Sequence, residues 1–241
     1  MVSFFVPALN EEKNIENTID DIIDACRKAH IKEIDIIIAN DGSSDGTRQI
    51  IETIEEKYKF IQSFHNTQNK GLGYCFKKAL LIAKYSKFFF IAGDNDMPAD
   101  VILNILENRN KADLVFVYFL NKELRGRRRN VISTIYGIIY TIIFNIYVQY
   151  INGGVLYSTD RLRQISLKSD RFSIIIEATI KMLKTGCSFY EVGGYMQRGL
   201  DGSSSISLKN LIDVIYSFLR LWLEVKIVNR KIYCSTPHRI K

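Results

Sequence analysis

The chain has 241 residues, 47% of them hydrophobic and 24% charged, with a net charge of +7. That is enough chain for a sizeable core and too apolar for a disordered or fibrous protein. The positive balance points to anionic partners such as nucleotides, phospholipid headgroups or nucleic acid, while Cys26, Cys75, Cys187 and Cys234 lie too far apart for a zinc spacing or a dense disulfide framework.

Residues 2–6 read as a first strand stopped by Pro7, and the N-terminus lacks the basic and long apolar regions of a signal peptide. A cytoplasmic protein is the expectation. After a polar loop over 8–12, Asn14 or a neighbour can cap a helix whose Ile15, Ile19, Ile22, Ile23 and Cys26 recur at helical spacing. Residues 34–39 read as a strand and 48–58 as a helix. Between them, 40–47 form a loop dense in glycine, aspartate and hydroxyl groups. A strand over 60–64, a Gly/Asn loop over 66–73 and a helix over 74–85 follow. The run 88–91 is a further strand, ending at Gly93-Asp94-Asn95-Asp96 with Pro98 closing the turn. Strand and helix alternate throughout this half, which predicts an α/β fold with a mostly parallel, doubly wound sheet. A helix over 101–108 and a strand over 114–119 complete it.

Composition then shifts. Lys122, Arg125, Arg127, Arg128 and Arg129 crowd one short run, read as a solvated loop, a membrane-surface patch or part of a phosphate site. Residues 131–151 follow without a charge, close to the roughly 20 residues that span a bilayer. Ser133, Thr134, Thr141, Asn145, Gln149 and repeated tyrosines favour instead one or two amphipathic helices lying at an interface; a spanning helix and a plain buried helix are the alternatives. Residues 152–157 read as a turn into a short strand that returns to the sheet, 172–183 as a helix, 189–192 as a last strand and 195–205 as a loop containing Arg198. Glu177 and Lys181, at i, i+4, suit a helix-surface ion pair; the other reading makes Glu177 a general base. Residues 208–228 form a long amphipathic helix, and the basic tail to Lys241 is expected to be loose. The division expected is a catalytic domain over 1–205, with a nucleotide-sugar half to residue 120 and an acceptor half beyond it, then a helical appendage over 206–241.

Three loops fall at the carboxyl edge of a parallel sheet, where ligands bind in such folds. On an extended chain Asp94 and Asp96 share a face and together suit one hard cation, Mg²⁺ or Mn²⁺, completed by a diphosphate. A solvated acidic turn is the other reading. Asp41 can accept a hydrogen bond from a uracil or guanine ring N–H, Leu9 and Glu11 can hold a ribose, and Lys70-Gly71 can meet phosphate. Neither dinucleotide nor phosphate-loop glycine patterns occur, and no motif for nucleic acid is present.

Pro7-Ala8-Leu9-Asn10-Glu11-Glu12, then Asn40-Asp41-Gly42-Ser43-Ser44-Asp45-Gly46-Thr47, then Asn69-Lys70-Gly71-Leu72-Gly73, then Asp94-Asn95-Asp96, in this order, resemble the signature of inverting family-two glycosyltransferases of the GT-A fold. The resemblance covers about residues 1–120. It implies a nucleotide-diphospho-sugar donor, a divalent metal on Asp94 and Asp96, and a nucleoside pocket lined by Pro7, Leu9, Asn10, Glu11 and Asp41, with Lys70, Gly71 and Asn95 beside it. The second half resembles, more weakly, the dolichyl- and polyprenyl-phosphate sugar synthases. Arg129 and Ser133 resemble an Arg-x-x-x-Ser that meets an acceptor phosphate, Asn152 follows the uncharged stretch, and Arg198 with Gly202-Ser203-Ser204 resembles a segment that closes over the site. Gly193-Gly194 stands where that group has Pro-Ile. The implied acceptor is a polyprenyl phosphate or, failing that, a glycan hydroxyl, with the enzyme peripheral on the inner face of a membrane.

Overall fold

The computed structural model describes residues 1–125, 127–151, 153–197 and 208–241; of residues 125, 128, 129 and 208–213 it describes the backbone alone. The strands are β1 (Val2–Ala8), β2 (Ile34–Asn40), β3 (Ile61–His65), β4 (Lys87–Phe90), β5 (Leu114–Phe119), β6 (Val155–Ser158), β7 (Ser188–Gly194) and β8 (His238–Arg239). They form one sheet in the order β3-β2-β1-β4-β6-β5-β7-β8. All ladders are parallel except those of β6, which runs antiparallel to both β4 and β5. The short strand expected near residue 155 thus enters the middle of the sheet.

Helices α1 (Ile15–Lys28), α2 (Thr47–Lys57) and α4 (Ala99–Glu107) cover one face; α3 (Leu72–Ile82), α5 (Arg127–Phe144), α7 (Ile174–Lys184) and α8 (Leu208–Leu223) belong to the other, with the short α6 (Thr159–Arg163) after β6. Successive strand residues point to opposite faces. Phe4, Ile36, Ile38 and Phe89 therefore pack with Ile15, Ile19, Ile22 and Ile105. Phe5, Ile37 and Phe88 pack with Phe76, Tyr157 and Ile180 on the other side. Both faces of the sheet are covered, as its near-continuous apolar strands require.

Four expectations change. Pro7 does not stop β1: it pairs with Ala39 and its carbonyl accepts from the Gly93 N–H, so its missing donor falls past the ladder with β4, which ends at Phe90. The uncharged stretch, expected to be helical as one or two helices, is helical only as far as Phe144. α5 ends at Phe144 because Asn145 takes φ +52° and the Ile146 N–H returns to the Thr141 carbonyl, a left-handed helix stop that asparagine tolerates. The tail is not loose at its end, since β8 pairs with β7 and Arg239 lies 3.0 Å from Glu191. Glu177 and Lys181 do pair, at 2.6 Å, yet inside the protein: their side chains are 3% and 0% exposed.

Candidate active site

The loops after β1 and β2 are laced together. Asn10 takes φ +59°, its N–H donates to Ser43 Oγ, and its Oδ1 accepts from the Ser44 N–H. The Glu11 N–H donates to Thr47 Oγ1, and Glu12 Oε2 accepts from the Gly46 N–H. The Asp41 N–H donates to the Ala8 carbonyl. Asn14 stands at the start of α1 as expected but caps nothing; it is buried and donates to Glu11 Oε2 at 2.8 Å. The polar residues of the 40–47 run thus hold Pro7, Leu9, Asn10 and Glu11 in one fixed turn. Leu9 keeps an exposed side chain at its tip.

Asp41 is buried and reaches into the loop after β3. Its Oδ1 accepts from Asn66 Nδ2 and the Lys70 N–H, its Oδ2 from the Gly71 N–H, all at 2.8 Å. The Cys75 thiol also stands in hydrogen-bond reach of this carboxylate. Gly71 has φ +96°, and a Cβ there would stand 2.4 Å from the Asp170 carbonyl oxygen. Only glycine fits. The Lys70 ammonium lies 4.7 Å from the centre of the Tyr74 ring.

Beyond Phe90 the chain stays beside β1: the N–H groups of Ile91 and Gly93 donate to the carbonyls of Phe5 and Pro7. Asp94 and Asp96 then follow in a turn and not on an extended chain, because Asn95 between them takes φ +54°. Within the turn the Asp96 N–H is directed at Asp94 Oδ1 at 3.4 Å. Gln197, which sequence reasoning missed, is bound here. Its N–H donates to the Asp96 carbonyl and its side chain donates to Asn95 Oδ1 and, at 3.1 Å, to Asp21 Oδ2. A glutamine in a loop carries no pattern that would have found it; its only signal was standing next to Arg198.

Glu11 faces this turn. Its carboxyl is pushed up to about 7, first by burial, against the hydrogen bond from Asn14, and then by the charges of Asp94, Asp45 and Asp96. The folded value lies above the ordinary 4.5, so the folded state holds this proton more tightly than the unfolded chain does. The resulting stability is complete below that ordinary value and is lost as pH rises through about 7. Without added cations, the melting temperature is expected to fall as pH rises through neutrality, and Glu11→Gln to flatten that fall. An unchanged slope in the variant would refute the assignment.

Among the described residues, no group of three or more His, Cys, Asp or Glu side chains is arranged to hold a metal ion. Two carboxylates suit a hard cation only if a ligand's oxygens complete its shell. Of the acceptor candidates, Ser133 is half-buried on α5; the Arg129 side chain, Asn152, Arg198 and the Gly202-Ser203-Ser204 segment lie outside what the structure describes. Glu177 is not placed for general-base work. Its oxygens already accept from the N–H groups of Lys168 and Ser169 and from Lys181.

The family model of glycosyl transferase family 2 matches residues 3–169. An uncharacterised protein of Methanocaldococcus jannaschii is 25% identical over 223 residues, covering 87% of this chain and 93% of that protein. A dolichyl-phosphate beta-glucosyltransferase of Trichomonas vaginalis is 26% identical over 148 residues, 57% of this chain and 45% of its own length. Among solved structures, glucosyl-3-phosphoglycerate synthase from Mycobacterium tuberculosis, crystallised with Mn²⁺, UDP-glucose and phosphoglyceric acid, has a TM-score of 0.66 at 17% identity, covering 93% of this chain and 79% of that one. At that identity it speaks for the fold. Three laced loops at one sheet edge, an acidic turn after β4 and a family model spanning most of the chain agree: the protein belongs to glycosyl transferase family 2, as a glycosyltransferase of the GT-A fold that acts on nucleotide sugars.

Proposed function

We propose that the protein transfers a sugar, with inversion, from a UDP- or GDP-sugar to a polyprenyl-phosphate-type lipid while lying on the inner face of a membrane. The observation that carries the lipid reading is the two-faced pair α5 and α8. Their inner faces pack through aromatic rings, Tyr140 and Phe144 against Phe218, at 5.1 and 6.2 Å between centroids. Their outer faces hold a bare apolar stripe: Val131, Ile135, Ile138 and Ile142 on α5, and Ile215, Leu219 and Leu223 on α8, all exposed. Such a stripe on a soluble monomer is unusual and fits an interfacial helix. No described helix is long and apolar enough to cross a membrane, so the spanning alternative finds no support. The basic residues Arg127, at the start of α5, and Arg230 and Lys231, past α8, are exposed and suit anionic headgroups.

In this reading the base and ribose lie against Pro7, Leu9, Asn10, Glu11 and Asp41, with the diphosphate near Lys70, Gly71 and the Asp94-Asn95-Asp96 turn. The donor set there, two carboxylates without nitrogen or sulfur, fits Mg²⁺ or Mn²⁺, which would neutralise the departing diphosphate. Lys70 adds a point charge. A phosphate acceptor is already anionic and needs no base, in keeping with Glu177 being buried and bound to Lys168, Ser169 and Lys181; it needs guanidinium groups, and Arg129 and Arg198 are the candidates, with Ser133 and Asn152 beside the acceptor. The Trichomonas relative is a dolichyl-phosphate beta-glucosyltransferase, which favours the same acceptor.

The test is a panel of UDP- and GDP-sugars with Mn²⁺ or Mg²⁺, with and without polyprenyl phosphate in phosphatidylglycerol vesicles, following nucleoside diphosphate release. Release is expected to depend on the lipid phosphate. Turnover with glycan hydroxyl acceptors alone would overturn the lipid reading in favour of a glycan-extending enzyme.

A further inference from the structure

We infer that Arg220 and Glu224, at the carboxyl end of α8 and in the π-helical turn Glu224–Val228 that extends it, are positioning residues of the donor site, acting through residues 166–170 on the turn that presents Lys70 and Gly71. This rests on the donor reading above, which places the diphosphate at that turn.

The start of α3 is pressed against the backbone of residues 169 and 170. A Cβ on Gly73 would stand 2.3 Å from the Ser169 carbonyl oxygen, and one on Gly71 2.4 Å from that of Asp170. The Tyr74 N–H, one of the first-turn donors that a helix leaves open, donates to the Asp170 carbonyl at 3.1 Å, and Lys77 pairs with the Asp170 carboxylate at 2.6 Å. The position of residues 169 and 170 therefore sets the position of the first turn of α3. With it go the Lys70 and Gly71 N–H groups that hold Asp41.

Residues 166–170 have no helix or strand of their own to fix them. Side chains from α7 and the C-terminal helix do so. Glu177 accepts from the N–H groups of Lys168 and Ser169 at 2.9 and 2.7 Å. Lys181, with no exposed surface, donates to the Ser166 carbonyl, Glu177 and Glu224 at 2.6, 2.6 and 2.9 Å. Lys168 reaches Glu224 at 3.2 Å, and Arg220 donates to Ser169 Oγ at 2.8 Å.

Leu221, Val225 and Tyr233 already bury the C-terminal segment in the main core, so apolar contact alone would hold it. Buried ion pairs add little net stability compared with such contact. What they add is direction: the bonds to Ser166, Lys168 and Ser169 each fix an atom of that segment, and hence which way the Ser169 and Asp170 carbonyls face α3. The helix whose outer side carries the apolar stripe is in this way part of the donor pocket.

Titration calorimetry with UDP and GDP in the presence of Mn²⁺, on the full chain, tests this. Arg220→Gln and Glu224→Gln are each expected to weaken the nucleoside diphosphate that the wild type binds by about tenfold, the scale of one lost charge-assisted bond. Turnover at saturating donor stays within about twofold. Arg220→Lys recovers most of the affinity. Ile54→Val, on α2 in the opposite core, lowers the melting temperature without changing affinity. Unaltered binding in the two glutamine variants, or a loss no larger than in Ile54→Val, overturns the inference. Arg220→Gln leaves both Lys181 pairings intact and decides alone if Glu224→Gln does not fold. A wild type that binds neither UDP nor GDP overturns the donor reading and this inference together, whereas wild-type binding with unaltered variants overturns this inference alone.

Discussion

Asp94→Asn and Asp96→Asn are each expected to lower turnover about 10³-fold, the equivalent of roughly 4 kcal/mol of lost charge stabilisation at the leaving diphosphate. Asparagine keeps the shape of the side chain and removes only its charge. The turn itself persists, because two of its main-chain bonds do not involve the carboxylates, Gly93 N–H to Pro7 and Gln197 N–H to Asp96, and an asparagine Oδ1 at 94 can still accept from the Asp96 N–H. Melting temperature is therefore expected to change little while activity collapses. The measurement is nucleoside diphosphate release at saturating donor and Mn²⁺, with calorimetry of Mn²⁺ binding in parallel. Either variant retaining more than about a tenth of wild-type turnover would remove the pair from the metal–diphosphate role.

The largest effect on stability is expected from Lys181→Met. The substitution preserves volume and leaves Glu177 and Glu224 facing one another inside the protein. Removing one partner from a buried ionic cluster costs about 3–5 kcal/mol, a large part of a domain's stability. Burial alone would raise the Glu177 carboxyl, yet Lys181 and the surrounding hydrogen bonds hold it below the usual carboxylate range. Its contribution is therefore present above the ordinary carboxylate range and is lost as pH falls through the depressed value. In Lys181→Met that support is gone, and the deficit against wild type narrows toward acid. Urea unfolding across a pH series measures both. The triple variant Lys181→Met, Glu177→Gln, Glu224→Gln, which removes the stranded charges, is expected to regain part of the loss. A single variant within about 1 kcal/mol of wild type would show that the cluster is solvated.

The crevice was legible because its chemistry is contiguous. The runs 40–47 and 94–96 each follow directly on an apolar strand, so their side chains arrive at the sheet edge by local geometry alone. The ladders of β1 with β2 and β4 follow from the same alternation. What was misread depends on residues distant in sequence. An i, i+4 pair such as Glu177 and Lys181 looks alike on a wet helix and in a core; Glu224 and the 166–169 backbone decide between them, and nothing local announces either. The two residues of β8 are too few to carry a period. Asn145 was readable in principle as a left-handed helix stop, but the unbroken apolar run around it concealed the end of α5. Asp94 and Asp96 stand in a turn set by the positive φ of Asn95, where the residue spacing alone suggested an extended chain.

The antiparallel insertion of β6 between β4 and β5 has a consequence for how the chain is made. Phe88 and Phe90 expose a hydrogen-bonding edge at the middle of the future sheet until Val155–Ser158 has left the ribosome. The amino-terminal half therefore emerges with an open, sticky flank, and shielding it during synthesis falls to the segments that come later.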